Sequence, residues 1–297
     1  MVVQRHGRRR ERLHGRRRGR GTLALGLAAA LAAGPAAGCS APGGGDLSVA
    51  AEPSAAGDLA RVQRAADVLV RSGSSRARTS LESATGGTRV TIRGSGVFDF
   101  AARRGRLRVV LPGDAAGEAG HRPVTELLVP GEVYLKNRGA GVPPDKWVRI
   151  HTASLADGNL VTGGATDPLA AAELLRGTRE VTYVGEGRAE RDGARVRHYR
   201  GTADIRRAAQ KASHARGALL AAARGFRTST VPFDVFLDDF GRLREVRHRF
   251  TFSAAPPGAA ELQVVSVTVL HGFGARVDVR LPPEEAIYAG TIAVTAP

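Results

Sequence analysis

The residues of this chain that could do chemistry are few and scattered. It has 297 residues, with eight histidines and a single cysteine, Cys39. None of the histidines lies in the helical H-E-x-x-H spacing of a zinc site, and there is no second cysteine to complete one. The sequence also lacks the G-x-S-x-G turn that presents a nucleophilic serine. It therefore predicts no metal, no cofactor and no catalytic residues.

Two short patterns look reactive but have simpler interpretations. The paired aspartates of DDFG, Asp238 to Gly241, match a kinase metal motif, but the Gly-rich loop and the strand lysine of kinases are missing, so a hairpin turn is predicted. The serine of RGSG, Arg93 to Gly96, lies in the middle of a predicted strand and not at a strand-to-helix turn. His198, His248 and His271 fall in predicted strands or turns.

The N-terminal segment has the layout of a secretory leader. Nine arginines and one glutamate occupy the first 22 residues, and an apolar run rich in Ala, Leu and Gly then extends from Thr22 to Cys39. This run is shorter than the roughly 20 apolar residues of a transmembrane helix, and Gly34 and Pro35 interrupt it. Residues 1–38 are therefore predicted to be a signal peptide, with general secretion as the export route.

The end of the leader resembles the bacterial lipobox. Small residues, Ala36-Ala37-Gly38, precede Cys39, although Ala36 stands where the lipobox prefers leucine. The resemblance implies that Cys39 is a lipid anchor that attaches the protein to the extracytoplasmic face of the cell membrane. Two or three acyl chains hold a protein there lastingly, since each buried methylene contributes about 0.8 kcal/mol. An ordinary signal-peptidase site and an uncleaved anchor are the alternatives.

The basic charge of the chain has two parts. The formal net charge is +16, and the leader holds half of the excess. In the remainder, arginines alternate with apolar residues, as in RLRVVL, and do not cluster with stacking aromatics, so no nucleic acid is predicted as a partner. We interpret these arginines as solvated outer faces of strands. Attraction to anionic lipid head groups is the alternative.

Behind Cys39 the chain divides into a tether and one large domain. Residues 39–57 are small, flexible and punctuated by proline, which predicts a tether between the lipid and the folded body. Residues 58–297 are enough for one domain with a sizeable core. Its first segment predicts a single helix that is capped by Asp58 and ended by Gly73.

After that helix the hydrophobic period changes to two, as in strands. Alternating segments separated by turns predict an antiparallel meander of about eleven strands, the last of them a pair around Gly272 to Gly274. Gly96 and a second glycine in the same strand indicate a bend or a close backbone approach. Two further helices are predicted, one with Asp167 as its cap and Pro168 at its first position, and one from Ile205 to Ala223.

The order of these segments carries a family resemblance. VYLK, the strand at Trp147, the helix that begins with DP, the HYRG hairpin, VPFDVFLDDFGRLREV and VTVLHGFGARVDVRLPP follow one another behind the lipobox-like cysteine. This order resembles actinobacterial lipoproteins of the LppX/LprG type, which belong with the LolA/LolB-like carriers. The resemblance covers the chain from Asp58 to its end. It implies an α+β fold, a strongly curved antiparallel half-barrel of about eleven strands with about three helices covering the concave face.

The family also implies a function. Its members are membrane-anchored extracytoplasmic lipoproteins that bind an acyl lipid or glycolipid in an apolar cavity and transfer or present it in the cell envelope. Such a site needs apolar area and no catalytic group, so the chain is not predicted to be an enzyme. An envelope transporter is left open as a partner. The alternative is an envelope sensor or protein-binding module of the same fold with no bound lipid, whereas a hydrolase has no supporting group of residues.

Strand and helix periodicity selects the side chains that would line the cavity. The alternative is that these side chains only pack in an ordinary hydrophobic core. Trp147 lies on the opposite strand face from Val148 and Ile150, so both a rim position and a buried one stay open for it. The predicted cavity residues are Phe98, Phe100, Val109, Val133, Leu135, Leu174, Leu219, Phe250 and Phe252.

Overall fold

The fold is taken from a computed structural model. It describes residues 54–85, 88–112, 122–139, 141–161, 166–226, 228–252 and 262–290. The predicted signal peptide, the predicted anchor Cys39 and the tether up to residue 53 lie outside these ranges.

Eleven antiparallel strands of the described chain form one sheet that is not closed into a barrel. They are β1 Ser74–Thr85, β2 Thr88–Asp99, β3 Arg104–Val110, β4 Val124–Val129, β5 Glu132–Lys136, β6 Trp147–His151, β7 Thr178–Arg188, β8 Arg195–Asp204, β9 Thr230–Asp238, β10 Leu243–Phe252 and β11 Leu262–His271. Their order is β6-β5-β4-β3-β2-β1-β11-β10-β9-β8-β7. The sheet is therefore two meanders that meet at a seam, where β1 pairs with β11.

Short helices cover one face of the sheet, which we call the concave face; the other is the convex face. The five α-helices are α1 Ala55–Gln63, α2 Ala65–Arg71, α3 Pro168–Leu174, α4 Ile205–Lys211 and α5 Arg216–Gly225. Their apolar side chains and those of the concave face form one hydrophobic core. The predicted α+β half-barrel is confirmed. Among the described residues, no helix has the length and apolar character needed to cross a membrane.

The sequence predicted three helices, whereas the described residues form five α-helices, because two of the predicted helices are each interrupted. The predicted helix over 205–223 is split into α4 and α5, where the amides of His214 and Ala215 donate to Glu173 Oε2 at 3.0 and 3.2 Å. Amides bound to a side chain of another helix cannot continue the helical ladder. The first predicted helix is likewise two, α1 and α2, and its N-cap is Ser54, not Asp58.

Strand periodicity correctly predicted which residues face outward. Along β3, exposed and buried residues alternate strictly, with Arg106 and Arg108 on the convex face and Leu107 and Val109 on the concave face. The close approach predicted at Gly96 is also confirmed, because a Cβ there would lie 1.9 Å from the carbonyl oxygen of Arg106. The arginines of RLRVVL are thus solvated, as interpreted.

The predicted pair of final strands is wrong in its second member. After β11 the chain turns at Gly272 and Gly274, both with positive φ, and continues through 275–283 without forming a strand. The physical reason is that β1 and β10 already occupy both edges of β11. The segment reaches the edge of the sheet instead, where Tyr288 N–H donates to the carbonyl oxygen of Trp147 at 2.8 Å.

Candidate ligand-binding face

The predicted cavity residues come together in the core. Eight of the nine are at most 3% exposed and belong to one hydrophobic cluster between the sheet and the helices. The ninth, Phe252, pairs with Leu262 on β11, and its side chain lies outside the described residues. Contact of these residues with a ligand stays a prediction.

A small cavity lies beside this cluster, between the β4–β5 turn and helices α3 and α5. Its volume is about 120 Å³, and none of the predicted residues lines it. Ligand sites usually measure about 300–1,000 Å³, so an acyl chain would fit only if the helices moved away from the sheet. Residues that line the cavity include Arg103, Leu128, Glu132, Asn159, Asp167 and Ala218.

A buried carboxyl group lies on the concave face next to this cavity. Glu126, in β4, faces Leu107 and Leu135 of the adjacent strands and is 0% exposed. Neither of its carboxyl oxygens has a hydrogen-bond partner. Burial raises the pKa of Glu126 to about 8, and the nearby amide of Asn159 opposes this rise without reaching hydrogen-bond geometry. Glu126 is therefore mostly protonated at neutral pH.

Asn159 is held in place by its own loop. Its backbone N–H donates to Asp157 Oδ1 at 3.0 Å, and Val161 N–H donates to Asp157 Oδ2 at 2.6 Å. Gly158 has a φ of 60°, and a Cβ there would lie 1.9 Å from the carbonyl oxygen of Ala218, so the loop rests directly on the α5 backbone. The side-chain oxygen and nitrogen of Asn159 are buried and have no partner.

The other acidic groups near the cavity do have partners. Asp167 caps α3 and accepts from the amides of Leu169 and Ala170 at 2.8 and 3.3 Å, as the sequence predicted for this cap. Burial raises the pKa of Asp167 to about 6 in spite of these bonds. Glu173 is fully buried and accepts from Arg176 Nε at 2.9 Å. Glu126 differs from both because its carboxyl group has no partner.

A second set of polar side chains lies on the concave face at the seam. Thr79 pairs with Thr268, and His248 pairs with Ser266, in the register of β1, β11 and β10. The hydroxyls of Thr79 and Thr268 and the Nε2 atom of His248 are buried without partners, whereas Ser266 shares a 2.6 Å hydrogen bond with Thr166. Burial lowers the pKa of His248 to about 3, so its ring is neutral near pH 7.

This arrangement does not have the geometry of a hydrolase site. An activated serine needs a hydrogen bond to its base, but the Ser266 hydroxyl is bound to Thr166 and His248 Nε2 has no partner. The DDFG aspartates form the predicted hairpin turn, in which Asp238 Oδ1 accepts from the amides of Phe240 and Arg242. In the part of the chain that the structure describes, no three His, Cys, Asp or Glu side chains are placed to bind a metal ion.

Sequence reasoning missed the unpartnered polar residues. The signal for Glu126 was present, because in VTELLV it is two residues from both Val124 and Leu128 and must share their apolar face. Asn159 gave no such signal, since its loop has no period. Trp147 is partly exposed at the edge of the sheet, with Lys136 Nζ 5.5 Å from its ring centroid, which places it at a rim.

The fold defines a class of proteins in which helices cover the concave face of an open antiparallel sheet. No model of a known protein family matches the chain, and no curated protein matches it. Among solved structures, it is similar to the lipoprotein LppX of Mycobacterium tuberculosis, with 13% identity, a TM-score of 0.43, and coverage of 76% of this chain and 100% of LppX.

Two further structures are similar at the same low level. For LprF of Mycobacterium bovis the identity is 11% and the TM-score 0.37, over 75% of this chain and 96% of LprF. For the MucA/MucB complex of Pseudomonas aeruginosa the values are 16% and 0.30, over 79% of this chain and 62% of that one. LppX is the type of lipoprotein that the sequence resembles, and the fold itself rests on the strands and helices described above.

Proposed function

We propose that this chain is an extracytoplasmic envelope lipoprotein, anchored through Cys39, whose concave face binds an acyl lipid or glycolipid for transfer or presentation. In this proposal residues 1–38 are the signal peptide, 39–57 the tether, whose last three residues already belong to α1, and 58–297 the lipid-binding domain. The observation that carries it is the character of the concave face. This face is apolar and covered by helices, yet it contains buried polar atoms without partners.

Unpartnered polar atoms are costly in a core that serves only for packing. Leaving a buried donor or acceptor unsatisfied costs about 1–3 kcal/mol, and native proteins have only a few such groups per 100 residues. Here Thr79, Glu126, Asn159, His248 and Thr268 supply them within one layer. A ligand with an apolar body and several hydrogen-bonding groups would satisfy such a face.

The helical cover is built so that it can move. Each helix has seven to ten residues. Isolated helices shorter than about 12–15 residues are marginal in water, so these depend on the sheet for their order. All seven residues of α3 are buried, and three of them, Ala170, Ala171 and Ala172, have small side chains. Lifting the cover would break none of the hydrogen bonds between strands.

The energy scale of an acyl ligand is set by its methylenes. A chain of about sixteen carbons loses roughly 12 kcal/mol on leaving a bilayer, at about 0.8 kcal/mol per methylene. The concave face must provide nearly as much apolar contact for transfer to be close to isoenergetic. The fully buried cluster supplies it once the helices no longer cover it.

Lipid extraction and native mass spectrometry test the proposal. The full chain is produced in a bacterium that acylates lipoproteins, and a bound acyl lipid is expected in stoichiometric amount. Val109→Trp on the concave face of β3 should lower lipid occupancy, whereas Val110→Trp, its neighbour on the convex face, should not. Circular dichroism of both variants checks that they fold.

A clean mass without lipid, and no uptake from vesicles, would overturn lipid binding. The second candidate function is then a sensor or protein-binding module. The small size of the present cavity, about 120 Å³, is the observation that favours it.

The proposed anchor has its own test. Cys39→Ala should release the protein from membranes and leave its thermal unfolding unchanged, because the residue precedes the folded body. Membrane fractionation distinguishes the outcomes. A variant that stays in the membrane fraction would show that Cys39 is not the attachment.

A further inference from the structure

The cavity beneath α3 and α5 has one unpartnered polar side chain in its wall and a second beside it. Asn159 lines it with a buried amide whose oxygen and nitrogen are both unpartnered. Leu128 also lines it, and Glu126 lies two residues before Leu128 on the same face of β4, fully buried and unpartnered. The amide of Asn159 thus lies in the cavity wall, and the carboxyl group of Glu126, which does not itself line the cavity, lies beside that amide.

The charged side chains that line the cavity favour neither an anionic nor a cationic ligand group. Asp167 accepts two amides of α3, and Glu132 accepts from the hydroxyl of Tyr134 at 2.8 Å. A phosphate or free carboxylate would face the carboxylates of Asp167 and Glu132, which repel it. A cation would face the guanidinium of Arg103, which also lines the cavity. A neutral ligand group is therefore favoured.

We propose that Glu126 and Asn159 bind the hydroxyl groups of a glycerol or sugar headgroup held in this cavity, while its acyl chains lie along the concave face. This inference rests on the proposed lipid-binding function. A hydroxyl donates one hydrogen bond and accepts two, and both an amide and a protonated carboxyl group can donate and accept. Burial keeps Glu126 protonated at neutral pH, since its pKa is raised to about 8. A cavity of about 120 Å³ is on the scale of a glycerol unit or a single sugar ring.

The test compares lipids that differ only in their hydroxyl groups. The full chain is incubated with phosphatidylcholine vesicles that contain labelled diacylglycerol, monogalactosyl diacylglycerol, or diacylglycerol with its hydroxyl acetylated. Lipid in the protein fraction is then counted. The chain should take up one or both hydroxyl lipids about tenfold better than the acetylated lipid, as expected for one or two hydrogen bonds. The galactosyl and diacylglycerol arms distinguish a sugar from a glycerol.

Variants then assign the preference to the two side chains. Glu126→Leu and Asn159→Leu should reduce the preference to about one while uptake of the acetylated lipid stays unchanged. Glu126→Gln, which still donates and accepts, should keep most of it. Thr125→Leu, one position away on the convex face of β4, is the matched control and should keep all of it.

The outcomes separate this inference from the proposed function. Equal uptake of hydroxyl and acetylated lipids by the unmodified chain overturns the headgroup site and leaves lipid binding intact. Uptake of no lipid at all overturns both. A preference that survives Glu126→Leu and Asn159→Leu together also overturns the site. Should Glu126→Leu fail to fold, Asn159→Leu, in a loop and not in the sheet, still decides.

Discussion

The convex and concave faces of the sheet treat their buried carboxylates in opposite ways. On the convex face, Asp234 is 4% exposed and accepts from His198, Arg200 and Arg249 at 2.8–2.9 Å. Burial alone would raise the pKa of Asp234, but these hydrogen bonds and charges lower it. On the concave face, Glu126 has no partner and its pKa is raised.

The difference shows that one buried acid is satisfied within the chain and the other is not. The buried acid of the convex face is neutralised by its own neighbours. The concave face leaves donors and acceptors unused among apolar side chains. The ligand proposed above would supply these missing partners. Substitutions on each face test this difference between them.

The largest effect is expected from the apolar packing of the concave face. Phe250 is fully buried and its ring stacks on Phe226, with centroids 5.0 Å apart. Phe250→Ala should lower the free energy of unfolding by about 3–5 kcal/mol, because it leaves a cavity in the core. Phe236 on the convex face, stacked on His198 at 4.3 Å, is the matched site, and Phe236→Ala should cost about 1 kcal/mol. Denaturant unfolding measures both, and equal losses would contradict the contrast.

Removing the buried acid should stabilise the protein near neutral pH. The pKa of Glu126 is about 8 in the folded state and 4.5 as the ordinary value. Between these pH values the native state holds more protons than the unfolded state, so the free energy of unfolding falls as pH rises. At pH 7 the free energy of unfolding should be roughly 3 kcal/mol lower than at a pH well below 4.5.

Glu126→Gln has no such titration and should be the more stable protein at pH 7. Urea unfolding at pH 5 and pH 8 is the measurement. The unmodified chain should lose stability between the two, and the variant should lose much less. Parallel changes in both proteins would mean that Glu126 is ionised or paired in the folded state.

The buried His248 should make the protein less stable as the pH falls, whereas Glu126 makes it less stable as the pH rises. The folded pKa of His248 is about 3, against an ordinary value of 6.5, because burial disfavours the charged ring. Below pH 6.5 the unfolded state takes up a proton that the native state does not, so stability falls as the solution becomes acidic. The loss should reach roughly 2 kcal/mol at pH 5. His248→Phe should remove this loss of stability. Thermal unfolding at pH 5 and pH 7 measures the loss in both proteins. An equal loss in the two would contradict the role given to His248.

The smallest effect is expected for the paired acid of the convex face. Asp234→Asn should lower the free energy of unfolding by about 1–2 kcal/mol, since it weakens the hydrogen bonds with His198, Arg200 and Arg249. Asp278→Asn is the control, because Asp278 and its partner Arg280 are mostly exposed and such pairs contribute little. Denaturant unfolding at low and high salt measures both. A larger loss for the control would contradict the role given to Asp234.

The sequence predicted what depends on local period and missed what depends on distant contacts. Segment β5 begins and ends where EVYLK predicted, and the Asp167 cap is confirmed. The break between α4 and α5 was missed because it is made by Glu173, some forty residues earlier in the chain.

The same limit applies to the candidate site. Burial of Phe98 and Leu135 followed from alternation along their strands. That Glu126 is buried also followed from alternation, but its lack of a partner depends on every side chain that could have reached it. Asn159 comes beside Glu126 only because the loop of Gly158 rests on α5. No pattern along the chain contains that contact.

The seam between β1 and β11 also has a consequence for how the chain folds. Within each meander, strands pair with their immediate successors, whereas the seam joins Arg76 to His271, from near the two ends of the described domain. Such pairings form slowly, because the entropy of closing a long loop is lost before the contacts contribute. The first meander therefore carries an open strand edge at β1 until the second delivers β11. Only that late joining assembles the surface on which Thr79 meets Thr268.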